Sequence, residues 1–497
     1  GFSIFSIGQL NMTNPLLSRT QSLFVNGAFT DGHGEPWTAF DPSTRQPLAT
    51  LATADEQDTR DAIGHAVMAF PAWRDLGGIK RAVFLRKIAA GVRARSEQLI
   101  EVQMCNNGKP RFEAEIDVGD AVATFEYYAD MAEDLERKQS TPVYMPDEHY
   151  AGRTRFEAVG AVGMIVPWNF PLVTSAWKIA PALAAGCTIV IKTSEYTPLA
   201  ELVYGDIAAE IGLPAGVLNI LTGAAVTGMA LTSDKRLAKL SFTGSNAIGS
   251  RVMQAASARC QPVSLELGGK SPIVVFEDAP IDSAVEQIVA GIFFNCGQMC
   301  SATSRLIVQR SMRERLMPAL VARCQQLKYG SPFTEGVEMG PLSNQPQFTK
   351  IAGVFEQAKN DGLTCLVGGE MPTDAAGWNV PPTIYDDISL DHPFWREELF
   401  GPILVVTYFD DEAQAVELAN DSDFGLVATL ITADIPRAER LADRIMSGHI
   451  WINSPQVIFP QTLWGGFKGS GIGRELGPWG LSAYLGVKHV STFKGHS

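Results

Sequence analysis

Residues 161–192 read AVGMIVPWNFPLVTSAWKIAPALAAGCTIVIK, and they set a rhythm that the rest of the chain repeats. Ala161 to Val166 is an unbroken apolar run of strand length. The turn Pro167-Trp168-Asn169-Phe170-Pro171 ends it. A helix follows to about Ala185, and Thr188 to Lys192 is a second apolar strand closing on a lysine. The pattern continues with a helix over Pro198–Ile211 and strands over Val217–Leu221 and Leu237–Phe242. Gly244-Ser245-Asn246-Ala247-Ile248-Gly249 then opens another helix. Continuous apolar strands alternating with amphipathic helices call for a parallel sheet covered on both faces, whose ligands bind beyond the strand C-termini.

A second βα series runs from Ser271 to about Gly466. Its strand candidates are Ile273–Phe276, Ser304–Val308, Cys365–Gly368, Ile403–Tyr408, Ala428–Thr432 and His449–Ile452, with helices such as Ser311–Leu327 and Asp411–Leu418 between them. Ahead of both series, Phe24-Val25-Asn26-Gly27 reads as a strand and tight turn. Asp55–Ala72, Lys80–Met104 and Phe112–Leu135 show helical spacing, and Val83, Leu85, Ile88, Ala89, Val92, Leu99 and Ile100 form a stripe on the second of these. Residues 138–157 contain prolines and alternate, as a protruding hairpin does. The tail Ala483–Phe493 alternates too, and pairs with that hairpin or with a neighbouring subunit.

The expected fold is therefore α/β, with two Rossmann-like α/β domains and a small β arm. The first domain takes residues 22–137 and 158–265, the second 266–466, and the arm 138–157 and 480–497.

The 497 residues carry a formal charge of −14, which argues against nucleic acid or an anionic membrane as partner. Seven cysteines, at 105, 187, 260, 296, 300, 324 and 365, show neither CxxC nor Cys/His metal spacing, so no metal site is expected. An odd count with a reactive thiol favours a reducing, cytoplasmic setting. Gly1–Leu10 is apolar without a basic flank and reads as no signal peptide, and Met12 reads as the natural start. No apolar run is long enough to span a membrane.

Two stretches suggest chemistry. Phe294-Asn295-Cys296-Gly297-Gln298-Met299-Cys300-Ser301-Ala302 offers two thiols among small residues. Glu266-Leu267-Gly268-Gly269-Lys270 offers a carboxylate between apolar and glycine neighbours. A thiol nucleophile with a carboxylate base suits covalent acyl chemistry, and either Cys296 or Cys300 could serve. Gly244–Gly249 is a helix opening able to meet a phosphate, or a close-packing turn. Lys192 and Glu195, after another strand end, favour the nucleotide. A glutamate there accepts from ribose hydroxyls and repels a 2′-phosphate, which favours NAD over NADP. Glu113, Asp117 and Asp120 share one helix face, and taken alone they read as a solvated acidic surface.

Together these stretches resemble the NAD(P)-dependent aldehyde dehydrogenase superfamily from about residue 22 to the C-terminus. The motifs are Pro167–Pro171, Phe242–Ser245, Glu266–Lys270, Gly297–Cys300 and Glu398-Leu399-Phe400-Gly401-Pro402. Within it, Phe125–Asp130, Trp177–Gly186, Ser264–Glu277 and Cys300–Arg305 are most similar to betaine-aldehyde and aminoaldehyde dehydrogenases. The resemblance implies that Cys300, two residues after Gly-Gln, is the nucleophile, with Cys296 a packing residue. It implies Glu266 as general base, and Asn169 with the Cys300 N–H as oxyanion donors. Lys178 and Glu475 are then members of a proton route to Glu266. It places Lys192, Ser194 and Glu195 at the adenosine ribose and Gly244, Ser245 and Gly249 near the pyrophosphate. Trp168 and Leu267 line the dinucleotide channel, and Glu398 and Phe400 fix the nicotinamide ribose.

For the substrate, the resemblance implies an aromatic box around a cationic nitrogen, here Phe170, Trp177, Phe294, Phe459 and Trp464. Glu113, Asp117 and Asp120 become an acidic mouth. Phe170 stands where plant members commonly have Tyr, Phe294 where they commonly have Trp, and Thr193 where the family usually has Pro. An ω-aminoaldehyde or betaine aldehyde is the expected substrate. A broad-specificity aldehyde dehydrogenase with an apolar tunnel is the alternative, and a non-catalytic protein retaining the fold is the reading from another class. A homo-oligomer, dimer or tetramer, is implied.

Overall fold

The computed structural model describes residues 13–495, so the readings of Gly1–Leu10 and Met12 fall outside the described residues. The first sheet runs Ala28–Thr30, Leu23–Val25, Leu218–Gly223, Thr188–Ser194, Ala161–Ile165, Lys239–Thr243, Val263–Glu266, Gly471–Ile472. The five strands from Leu218–Gly223 to Val263–Glu266 are parallel. Numbered along the chain, those five stand 3-2-1-4-5. That is the doubly wound order, in which the winding reverses between the first and fourth strands and opens a crevice at their C-terminal ends. The crevice falls just beyond Ile165 and Thr243, where the chain continues into Trp168-Asn169 and Gly244-Ser245.

The core explains why the strands read as unbroken apolar runs. Thr188–Ser194 is buried at every position, and the helix Pro171–Ala185 at every position but Thr174. A helix apolar all round belongs between layers, not on a surface. The helix ends on Gly186 in the left-handed region, at φ 99°. The hairpin turn at Asn26 and Gly27 also has positive φ at both residues, as the Asn-Gly pair predicts.

A second sheet runs Thr364–Val367, Thr383–Asp386, Ile403–Phe409, Arg305–Gln309, Pro272–Val275, Val427–Ile431, His449–Ile452. All neighbours in it are parallel except Thr364–Val367 against Thr383–Asp386. The strand Thr383–Asp386 has no counterpart in the sequence reading. Its four residues, TIYD, follow a Pro-Pro pair and are too short to show a period, yet all are buried beside Ile403–Phe409.

Two other expectations change. Lys80–Met104 is two helices, Gly78–Ala94 and Ser96–Asn106, joined at Arg95. Leu85, Ile88, Ala89 and Val92 form the buried stripe of the first, and Leu99 and Ile100 lie in that of the second, but Val83 is 47% exposed. A helix over Ala225–Ser233 also escaped the reading, because its alternating small residues carry no clear apolar stripe.

The third sheet is antiparallel. Leu485–Phe493 pairs along its full length with Tyr150–Ala158, which pairs in turn with Thr141–Val143. The tail thus joins the hairpin of its own chain. Tyr144 and Val487 are exposed there. No helix among the described residues is long and apolar enough to cross a membrane.

Candidate active site

A cavity of about 400 Å³ opens where the C-terminal ends of the first sheet face the second unit. The first sheet contributes Trp168, Asn169 and Phe170, Gly244 and Ser245, and Glu266 with Leu267 and Gly268. The helix Pro171–Ala185 adds Val173, Thr174 and Trp177, which one helical turn brings to a common face. The other wall is Phe294, Met299, Cys300, Ser301, Glu398, Phe400, Gln456, Ile458 and Trp464. Asp117 and Asp120 reach the cavity from the helix Arg111–Arg137.

Cys300 sits at the end of a tightly held loop. Asn295, Cys296 and Gly297 are consecutively left-handed, with φ of 50°, 56° and 73°. Two are not glycine, and each such residue costs about 1 kcal/mol or more, so the loop needs outside support. Asn295 supplies much of it. Its side chain donates to the carbonyls of Asn169 and Gln298, both at 3.0 Å, and its own carbonyl accepts from the Gln298 side chain at 2.9 Å. The Ser343 N–H donates to the other end of that Gln298 side chain at 2.9 Å. Gly297 allows no side chain, since a Cβ would stand 2.0 Å from the Gly401 carbonyl oxygen. Cys296 packs in the second core, 1% exposed.

Asn169 Nδ2 donates to the Gln298 carbonyl at 3.0 Å, and an amide nitrogen carries a second proton for another acceptor. Asn107 holds this turn from behind, donating to the Trp168 carbonyl at 2.7 Å. Glu266 is 3% exposed and neither of its oxygens has a hydrogen-bond partner. Burial, then the charge of Glu475, pushes its carboxyl well above the usual range. Behind it, Lys178 pairs with Glu475 and donates to Ser241 Oγ at 2.9 Å. The Cys300 thiol is pushed up by burial and by the carboxylates of Glu398, Glu266 and Glu475. The thiol is therefore protonated at neutral pH and needs a base to ionise it.

The residues expected at a dinucleotide form a band beside this centre. Ser245 caps the helix Asn246–Ser257, its side chain accepting from the Ile248 N–H. Lys192 and Glu195 stand 3.9 Å apart at the end of Thr188–Ser194, with Ser194 the strand's last residue. Gly249 lies one turn into the capped helix, packed so closely on Leu267 that a Cβ would stand 2.5 Å from that side chain. Glu398 accepts from the Gly269 N–H at 2.7 Å, and burial raises its carboxyl to about 7. Phe400 meets Trp168 edge-on at 5.5 Å. The helices Ala225–Ser233 and Asn246–Ser257 leave Val226, Met229, Ile248 and Met253 exposed. Large apolar side chains flanking a helix N-terminus, with a carboxylate at the next strand end, fit a base, a pyrophosphate and a ribose.

The substrate residues divide. Trp177 and Trp464 meet at 5.5 Å on the cavity wall, and Trp177 Nε1 donates to Asp120 Oδ1 at 2.8 Å. Phe170 and Phe294 stack with planes 5° apart. Phe459 is 56% exposed and off the cavity wall, and Glu113 is fully buried behind the nucleophile loop instead of at the mouth. Nor are Glu113 and Asp117 a solvated face. Lys109, 1% exposed, donates to Asp117 at 2.7 Å and lies 3.5 Å from the centre of the Phe170 ring. One ring of the expected cation box thus already holds an internal cation. Burial pushes Asp117 up and Lys109 draws it back.

The sequence reading missed Lys109, Asn295, Gln456 and Ile458. The Lys109 contacts could not be foreseen without the fold. Gln456 exchanges hydrogen bonds with Ser301 at 2.8 Å in both directions, and its φ of 62° marks a constrained loop.

A doubly wound α/β protein with a half-buried cysteine and a buried amide and carboxylate converging at its crevice belongs to the class of thiol-dependent enzymes that work beside a dinucleotide. More specifically, the chain belongs to the aldehyde dehydrogenase family, whose model matches residues 29–490. It is 42% identical to a betaine aldehyde dehydrogenase of Oryza sativa subsp. japonica over 490 residues, covering 97% of each chain. It is 43% identical to a peroxisomal aminoaldehyde dehydrogenase of Pisum sativum, covering 91% of each. A crystal structure of betaine aldehyde dehydrogenase from Staphylococcus aureus with NAD+ superposes with a TM-score of 0.94 at 34% identity, covering 97% of each chain.

Proposed function

We propose that this enzyme, an NAD-dependent aldehyde dehydrogenase, acts on small cationic aldehydes, an ω-aminoaldehyde or betaine aldehyde, through Cys300, Glu266 and Asn169. The observation that carries the reading is the convergence of those three side chains on one cavity that Trp177, Trp464 and Asp120 also line. In this reading the unit of residues 22–137 and 158–265 holds the dinucleotide and 266–466 carries the chemistry. The arm of 138–157 and 480–497 joins subunits of a dimer or tetramer. Trp168, Lys192, Ser194, Glu195, Gly244, Ser245, Gly249, Leu267, Glu398 and Phe400 would hold NAD, which when bound supplies a hydride acceptor. Seven cysteines, none of them in a disulfide, favour a reducing, cytoplasmic setting.

The chain's own residues do the rest. Glu266 takes the thiol proton, and the Cys300 sulfur bonds to the aldehyde carbon. The carbonyl oxygen becomes an oxyanion against the free proton of Asn169 Nδ2 and the Cys300 N–H. Loss of hydride from that carbon leaves a thioester on Cys300. Glu266, whose raised carboxyl makes it a stronger base than an ordinary glutamate, removes a proton from the attacking water. The C–S bond breaks, and the carboxylic acid leaves. Lys178 and Glu475 lie where the proton can leave Glu266.

The Lys109–Phe170 contact favours the second reading, a broad-specificity enzyme with an apolar tunnel, because it takes one ring from a cationic substrate. NADH formation with betaine aldehyde, 3-aminopropanal, 4-aminobutanal and hexanal separates the two, with Cys300→Ala as blank. A kcat/KM at least ten times higher for the cations supports the first reading. Preference for hexanal establishes the second, and no turnover of any aldehyde removes both.

A further inference from the structure

We infer that Glu113 is a positioning residue for the nucleophile: its buried carboxyl pins the left-handed loop that ends in Cys300. The inference rests on Cys300 being the nucleophile.

Asn295 is the hub of this loop. Its side chain ties the Asn169 carbonyl to the Gln298 carbonyl, so it links the turn bearing one oxyanion donor to the segment bearing the thiol. The main-chain N–H of Asn295 donates to Glu113 Oε1, the one bond that reaches the hub from the helix Arg111–Arg137. Asn295 and Cys296 both sit in the left-handed region that side chains disfavour. Such a backbone persists only where its surroundings over-determine it. With the acceptor removed, the Asn295 N–H is buried and unpaired, and the loop can relax toward an ordinary conformation. Cys300 then shifts relative to Asn169, and a displacement near 1 Å from the attack geometry is costly.

Glu113 itself touches neither the cavity nor solvent, being 0% exposed. It therefore meets no substrate directly, and its hydrogen bond reaches the nucleophile through the loop. Burial raises its carboxyl to about 8, against the pull of Lys109, so at neutral pH it is mainly the uncharged acid. Glutamine is the near-isostere of that form and keeps an oxygen acceptor.

The test compares Glu113→Gln, Glu113→Asp and Glu113→Met in the full chain, with betaine aldehyde and hexanal as substrates and NAD saturating. The iodoacetamide alkylation rate of Cys300 is followed separately by peptide mapping. Glutamine should retain at least half of kcat. Aspartate, a methylene too short to reach, and methionine, with no acceptor, should lower kcat 10- to 100-fold for both aldehydes. KM should stay within twofold, and Cys300 alkylation should slow in parallel. If the methionine variant does not fold, the aspartate–glutamine comparison decides. An unchanged kcat in aspartate and methionine variants overturns the inference. So does a KM that rises for betaine aldehyde alone, which would return Glu113 to the substrate mouth. If the wild type turns over no aldehyde, the proposed function fails, while the alkylation comparison still tests the loop.

Discussion

Asp120 should make the affinity for a cationic aldehyde depend on pH, with tighter binding as pH rises through neutrality. Its carboxyl lines the cavity and accepts from Trp177 Nε1. Burial raises it from an ordinary 3.8 to about 7, with the neighbouring Asp117 adding to the rise and the Trp177 and Thr124 hydrogen bonds opposing it. Below pH 7 the group is mostly neutral and gives a cation little attraction. Above pH 7 it is charged. The interval from 3.8 to about 7 corresponds to roughly 4 kcal/mol of disfavour toward the charged form. A bound cation that recovers a quarter to a half of this, about 1–2 kcal/mol, binds ~5- to 30-fold more tightly to the ionised enzyme.

Betaine aldehyde is the substrate to use, since its quaternary nitrogen does not titrate. Its KM, measured between pH 6 and 8.5, should fall about 4- to 8-fold, less than the full factor because about a tenth of Asp120 is already ionised at pH 6, while the KM of hexanal stays level. Asp120→Asn should abolish the fall and hold KM near the wild-type value at pH 6. Asp117 should not mimic this, because Lys109 already neutralises it inside the protein. A flat KM in the wild type would refute the reasoning, and so would an equal slope for hexanal or a slope surviving in Asp120→Asn.

Asn169→Ala should lower kcat about 100-fold, near the 3 kcal/mol expected of one oxyanion donor, with KM little changed; single-turnover NADH formation measures it. Gly297→Ala should abolish activity or folding, because a Cβ would meet the Gly401 carbonyl oxygen at 2.0 Å in a backbone of φ 73°; thermal melting and kcat together read the outcome. The limiting deacylation rate should rise with pH through the raised Glu266 carboxyl, since the ionised form is the base, and a pH-independent rate would remove Glu266 from that role.

The doubly wound sheet could be read from Ala161–Lys192 because its strands are buried on both faces, which leaves continuous apolar runs. Short elements supported by neighbours, such as Thr383–Asp386, left no such trace. The same contrast divides the site. Cys300, Glu266 and Asn169 lie in local motifs, and all three line the cavity. Glu113, Asp117 and Asp120 were grouped by helical spacing, and that spacing does place them on one face. It could not reveal that Lys109, beyond the helix start, would fold under the face and neutralise Asp117, nor that Asn295 would approach Glu113 from the far side. Phe459 was chosen for being aromatic and near Trp464 in sequence; the loop after His449–Ile452 sends Ile458 to the cavity instead and leaves Phe459 outside.

Charge balance around the cavity ties specificity to catalysis. Glu266, Glu398 and Glu475 all raise the Cys300 thiol, and the first two are themselves raised by burial. A cluster of this kind stays compact by remaining partly protonated, since several bare charges in a low-dielectric space would repel strongly. Lys178 supplies the nearby positive charge, paired with Glu475 and hydrogen-bonded to Ser241. Lys109 supplies the corresponding charge behind the cavity wall, beside Asp117 and against Phe170. With both cations committed, Asp120 is the acid beside the Trp177–Trp464 pair, and among the described residues no lysine or arginine forms a direct ion pair with it. An incoming cationic aldehyde can supply that missing charge, whereas an aliphatic aldehyde leaves Asp120 to stay neutral beside Trp177.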